Sequence, residues 1–249
     1  MKRFELERAI AENELLLYYQ PIVSVPERAL RAAEALLRWK HPARGIVSPM
    51  EFVPEAEATG LIRRLTFWVL REALLQSNVW RRDGQALTVA VNLSNDNLHD
   101  QHFRRFLDRT LKVAGGPDHL IAETAARALA NDPHPPLATL ALMRENGIRF
   151  AIDDLTEDDA SAMDSLPVDI VKIGRALVSR IRREARALDE VRAAVRAARE
   201  RGLETTAVGV EDAATWDLLA QLGVANAQGY FIAQPMPAAD LATWRAARV

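Results

Sequence analysis

Short apolar runs of strand length alternate with stretches whose apolar residues recur every three or four positions, almost from end to end of the chain. The strand-like runs fall at residues 15–24, 29–39, 87–92, 119–123, 148–153, 168–173, 204–208 and 224–228. Helical spacing marks 4–12, 50–82, 101–114, 136–146, 158–165, 177–202, 212–222 and 237–246. In the second of these, Phe52, Val53, Ala56, Leu61, Ile62, Leu65, Trp68, Val69, Ala73 and Leu74 keep the period. In the 177–202 stretch Leu188, Val191, Ala194, Val195 and Ala198 do so. Residues 41–49 (HPARGIVSP), with Pro42, Gly45 and Pro49 as breakers, read as a loop. No Pro/Ser-rich linker, fixed-period repeat or Gly-rich phosphate loop interrupts the alternation. One α/β domain spanning 1–249 is therefore predicted, a (β/α) barrel in preference to a doubly wound sheet.

The polar residues at the ends of these runs carry the chemistry. LRAAEALLRW holds Glu34, LTVAVN ends at Asn92, HLIAE at Glu123, and IRFAIDD at Asp153 and Asp154. DIVKI adds Lys172 and GVANAQGY adds Gln228. Polar groups converging from several strand ends describe an active-site rim suited to a metal and a phosphate. Adjacent aspartates can bridge hard divalent cations, although such a pair also caps helices. Glu34 sits inside an apolar stretch, so its charge needs a metal or a cation, and Lys172 is the alternative partner. Asn92 reads equally as a neutral ligand or as a turn former, and Glu123 as a ligand or a cap. Lys172 can orient water or neutralise phosphate, or act only on neighbouring acids. LETTAVGV breaks the pattern, because Val208 stands where a carboxylate is expected.

Composition narrows the partners. Thirty-two basic against 34 acidic residues give a net charge of −2, so no broad attraction to a nucleic acid polymer or an anionic membrane is implied. Without cysteine there is no disulfide, thiolate metal site or cysteine nucleophile. The N-terminal segment carries acids within its apolar stretch and does not read as a signal peptide. No apolar run approaches the roughly 18 residues of a membrane span, and a cytoplasmic domain is expected.

The segments YYQPIVS, AEALLRWKHPARGIVSPMEFVPEAEATGLI, VNLS, DD, LPVDIVKIGRALV, GVED and QGYFIAQPMPA together resemble the EAL-type cyclic-di-GMP phosphodiesterase domain, from about residue 4 to 246. The resemblance implies a modified TIM (β/α)8 barrel whose first strand runs antiparallel. It implies hydrolysis of cyclic di-GMP to linear pGpG with Mg²⁺ or Mn²⁺. It assigns Glu34, Asn92, Glu123 and Asp153 to a first metal and Asp154 to a second. Lys172 falls near the attacking water, and Gln20, Leu36, Arg38 and Gln228 line the nucleotide, with Arg38 on a phosphate. Glu211 matches the second glutamate of E-G-V-E. A homodimer is also implied.

Departures from the family pattern gather at catalysis. Val208 replaces the first glutamate of E-G-V-E, a ligand of the second metal in active members. Ala126 replaces the second glutamate of E-x-T-E, and Gly174 the aspartate of K-I-D. The loop D-D-F-G-T-G reads DDLTED, losing two glycines and gaining Glu157 and Asp158. One metal site, the second being lost, and negligible turnover are expected. The reading is a catalytically inactive cyclic-di-GMP receptor or a module for an unidentified protein partner. A weak phosphodiesterase that recruits Glu157 or Glu211 is the alternative.

Overall fold

A computed structural model of the chain describes residues 3–114, 119–130, 132, 134, 136–155 and 166–247. The helix expected at 158–165 and the charges of Glu157 and Asp158 lie outside the described residues. After α1 (Arg3–Ala11) come β1 (Leu15–Ser24) and β2 (Leu30–His41), paired antiparallel over most of their length. Six further strands follow in parallel order from β2: β4 (Thr88–Asn92), β5 (Leu120–Ala125), β6 (Arg149–Leu155), β7 (Ile170–Ile173), β8 (Glu204–Val208) and β9 (Asn226–Gln228). β9 then pairs antiparallel with β1, which closes the ring. The barrel with one antiparallel first strand is the fold that the sequence led us to expect.

Several element boundaries differ from the reading of the sequence, each for a local reason. The segment read as a loop at 41–49 contains β3 (Gly45–Val47), which folds back on the end of β2. The periodic stretch 50–82 is two helices, α2 (Pro49–Ala58) and α3 (Ile62–Arg82). Gly60, at φ +72°, takes the left-handed conformation that separates them. Two short helices escaped the pattern, α4 (Asn95–His99) and α6 (Ala126–Ala130), each under two turns long. The Ser94 side chain caps α4 by accepting from the Asn97 amide. The stretch 177–202 is a single turn, α8 (Arg175–Val178), followed by α9 (Ala185–Glu200). α5 (Gln101–Ala114), α7 (Leu137–Glu145), α10 (Ala213–Leu222) and α11 (Ala238–Ala246) complete the chain.

The side-chain period of two along each strand stacks the barrel interior in layers. Ile22, Ala32, Ala90, Ile121, Ala151 and Ile170 form a buried apolar plug. Stepping two residues toward the mouth on each of those strands gives Gln20, Glu34, Asn92, Glu123, Asp153 and Lys172. β8 and β9 carry Thr206 and Asn226 at the plug end, where they line a small cavity with Ile22, Ile121 and Ile170. The same step brings Val208 and Gln228 to the mouth. The polar rim is thus a property of register, and Val208 holds the β8 position in it.

The rim closes tightly just past β9. The Gln228 carbonyl accepts from the amides of Gly209 and Val210. A Cβ on Gly229 would stand 2.1 Å from the Val210 carbonyl oxygen and 2.3 Å from its nitrogen. Backbone cannot give way as a flexible side chain would. Gly229→Ala is therefore expected to lose about 2 kcal/mol or more of stability, read as a lowered urea midpoint.

Candidate functional site

Lys172 is the centre of the mouth. Its ammonium is 1% exposed and lies 2.5 Å from Glu123 Oε2, 3.3 Å from Glu34 Oε2 and 3.5 Å from Asp153 Oδ2. Glu34 is held from two more sides. Asn92 Nδ2 donates to Oε1 at 2.7 Å, and Gln228 Nε2 donates to Oε2 at 2.8 Å. Gln228 Nε2 also donates to Gln20 Oε1 at 3.0 Å, and Gln20 Nε2 donates to the Ala233 carbonyl. These acceptors fix the orientation of the Gln228 amide, because the flipped form would set oxygen against oxygen. Its Oε1 is left buried and without a hydrogen-bond partner among the described residues. An unmet buried acceptor costs about 1–3 kcal/mol, and a bound donor would recover it.

Three carboxylates share one ammonium, and the imbalance shows in their proton affinities. Burial works against the charged form of Glu34, but the Lys172 charge and the hydrogen bonds from Gln228, Asn92 and Lys172 hold its pKa below the ordinary value. Burial pushes Glu123 up to about 8 against the attraction of Lys172, with Glu34 and Asp153 adding to the rise. Asp153 is likewise raised, chiefly by burial. Burial disfavours the Lys172 cation, yet Glu123, Glu34 and Asp153 outweigh it and keep the amine firmly protonated. Glu123 therefore holds a proton more tightly than an ordinary glutamate, while Lys172 stays a cation.

Around this centre the other predicted residues divide. Arg38 donates through Nη1 to the Leu37 carbonyl at 2.8 Å and lies over the Tyr18 ring at 5.8 Å, a half-buried cation at the rim. Leu36 lines a largely apolar cavity of about 480 Å³ together with Met50, Val53, Ile62, Asn92 and Leu93. No sequence signal beyond the quoted segments marked that cavity, since α2, α3, β2 and β4 build it jointly. Asp154 does not join the cluster through any ion pair among the described residues. It adopts φ +56°, and its Oδ1 lies 2.0 Å from where a Cβ on residue 174 would be. Gly174 thus gives Asp154 its place. Glu211 is exposed and pairs with Arg175 Nη2 at 2.5 Å. Ala126 is fully buried at the start of α6, and Val208 is half-buried at its rim position.

The model of the EAL domain matches residues 3–235. The chain belongs to the EAL domain family. Bifunctional diguanylate cyclase/cyclic di-GMP phosphodiesterase MucR of Pseudomonas aeruginosa is 34% identical over 245 residues, covering 95% of this chain and 35% of that protein. Cyclic di-GMP phosphodiesterase PdeR of Escherichia coli K12 is 31% identical over 242 residues, covering 96% of this chain and 36% of that protein. The chain thus spans about a third of the length of these relatives. A solved structure described as the PaMucR phosphodiesterase in complex with c-di-GMP superposes at a TM-score of 0.91 and 32% identity, over 96% of this chain and 98% of that one.

EAL domains generally use Mg²⁺ or Mn²⁺. Among the described residues no three acidic or histidine side chains form a group able to hold a metal as they stand, and the Lys172 ammonium fills the space between the carboxylates. The donor chemistry nevertheless fits one hard cation. Glu34, Asn92, Glu123 and Asp153 are oxygen donors, and three of them are acids gathered around a single ammonium.

In the metal-free EAL domain, Glu123 takes up a proton on folding between about 4.5, its unfolded value, and about 8. Its contribution to stability is fullest at low pH and falls as pH rises across that window. Glu123→Gln is expected to raise stability at pH 8 by on the order of 1 kcal/mol and to flatten the decline between pH 5 and 8. Urea unfolding at both pH values in the presence of a chelator measures it.

Proposed function

We propose that residues 1–249 form one EAL domain that binds cyclic di-GMP at the barrel mouth without hydrolysing it, and so acts as a receptor in cyclic-di-GMP signalling. The observation that carries this reading is Val208. The two-residue register of the barrel delivers its isopropyl group to the mouth, beside Gln228 across the β8–β9 pairing. An isopropyl group offers neither a lone pair nor a charge to a cation. Glu34, Asn92, Glu123 and Asp153 would hold one Mg²⁺ or Mn²⁺, which when bound would neutralise phosphate charge. Among the described residues on the β7–β8 side, Asp154 lies over Gly174 and Glu211 is paired with Arg175.

The binding half of the site is better preserved than the hydrolytic half. Arg38 presents a guanidinium for a phosphate. The apolar cavity beside Leu36 suits a flat purine base. Gln228 Oε1 still needs a donor of the kind a guanine edge carries. The alternative, a weak phosphodiesterase, would recruit Glu157, which lies outside the described residues, or Glu211, which is exposed and paired with Arg175 rather than with the cluster. No helix among the described residues is long and apolar enough to cross a membrane.

Calorimetric titration with cyclic di-GMP, with and without Mn²⁺, tests binding, and chromatography of the same mixtures tests turnover. Binding without release of pGpG is expected, and Arg38→Ala should weaken it about tenfold. Val208→Glu alone should not bring turnover to the level of active relatives. Absence of heat and of thermal shift at high ligand would refute the receptor, and pGpG formation that disappears in Glu34→Ala would refute the loss of hydrolysis.

A further inference from the structure

The ion pairs of this protein are distributed unevenly. On α9, Arg186 pairs with Glu190, Arg192 with Asp189 and Arg196 with Glu200, so the helix neutralises its own surface. The α8 turn region does likewise, Arg180 pairing with Glu184, Arg182 with Asp212 and Arg175 with Glu211. α5 is built on the opposite plan. Phe103, Leu107 and Leu111 bury one face, while Arg104, Arg105, Arg109 and Lys112 are exposed and form no ion pair with any described residue. Asp108 is the single acid in the helix and is within ion-pair distance of none of them.

Arg105, Arg109 and Lys112 follow at intervals of four and three residues, which aligns them on one stripe about 10 Å long. Like charges one turn apart destabilise a helix, and among the described residues no carboxylate lies within ion-pair distance of the three, Asp108 being the nearest acid in sequence. α5 packs on α3, where Arg64 is also exposed and in no ion pair with a described residue, while Arg63 pairs with Asp100. Phe67 of α3 and Phe106 of α5 stack at 3.9 Å between the two helices, both half-buried. The result is a basic face with an aromatic seam on a molecule whose net charge is −2.

We propose that this α3–α5 face docks an acidic helical segment of a protein partner, its carboxylates spaced one turn apart to meet Arg105, Arg109 and Lys112. The scale of the patch selects this occupant. A nucleic acid strand or an anionic bilayer extends well beyond two helical turns, on a molecule whose net charge is −2. A short helix matches the length of the stripe, and an apolar side chain on it can cover the Phe67–Phe106 seam. α3 gives the face a route to the barrel mouth, because Ile62, Leu65, Thr66 and Val69 on its inner side line the cavity beside Leu36. The docking proposal does not depend on cyclic di-GMP binding.

The test uses the full chain and a labelled synthetic helical peptide with glutamates at positions i, i+4 and i+7. An isomer with its glutamates consecutive serves as comparison. Fluorescence anisotropy at physiological salt should show the spaced peptide binding about tenfold more tightly than the isomer. Arg105→Glu with Arg109→Glu should remove that binding, and the neutral pair Arg105→Gln with Arg109→Gln should weaken it about tenfold. Arg186→Glu with Arg196→Glu on α9 should leave it unchanged, with circular dichroism confirming that each variant is folded. Equal binding by the α5 variants and the unaltered chain would overturn the proposal. So would equal loss in the α9 variant, or tighter binding to phosphatidylserine vesicles or single-stranded RNA than to the peptide.

Discussion

One buried ammonium governs the mouth of this barrel. Lys172 and Glu123 are each 1% exposed, and Glu34 and Asp153 stand close by. Withdrawing such charges from water costs several kcal/mol per ion, so the buried ammonium needs carboxylates around it. Removing the lysine would leave the three acids with no counter-charge, and removing Glu34 would take an acceptor from Asn92 and from Gln228, which keeps Gln20 Oε1. The arrangement rests on the apolar plug beneath it, which fixes the strand register and hence which side chains face inward. A polar layer on an apolar layer, offset by two residues, is the architecture that everything else at this site inherits.

Within that architecture Val208 is a substitution with a defined place. It takes the β8 position in the same layer, and on the function proposed above its isopropyl group is what leaves that position without a cation ligand. The neighbouring changes follow the same direction. Gly174 leaves room that Asp154 fills, and Glu211 lies outside the cluster in an ion pair. Arg38, Gln20, Gln228 and Leu36, proposed above to grip a nucleotide, lie around the mouth and its adjoining cavity. On that proposal the differences from the family pattern fall on hydrolysis and the matches on binding.

Much of this was legible in the sequence, for physical reasons that can be named. Strand-end polar residues mark a barrel rim because alternation forces every second side chain inward, so Glu34, Asn92, Glu123, Asp153, Lys172 and Gln228 could be found by pattern. The cost of burying an isolated charge left Glu34 with a metal or Lys172 as its partner, and the structure pairs it with Lys172. β3 was hidden because three residues between breakers carry too little periodicity to register. The division of 50–82 at Gly60 was masked by an apolar period that happens to continue across the turn. The cavity beside Leu36 is non-local, and the committed orientation of Gln228 depends on two acceptors from distant strands. The relation of Gly174 to Asp154 is likewise invisible without coordinates, since it arises from a left-handed aspartate meeting an absent Cβ.

A crystal structure of the chain grown with cyclic di-GMP and Mn²⁺ tests the central claim most directly. The account predicts an intact cyclic dinucleotide with a phosphate on Arg38 and one metal on Glu34, Asn92, Glu123 and Asp153, with no metal beside Val208. Linear pGpG in the mouth, or a second metal held there, would contradict it.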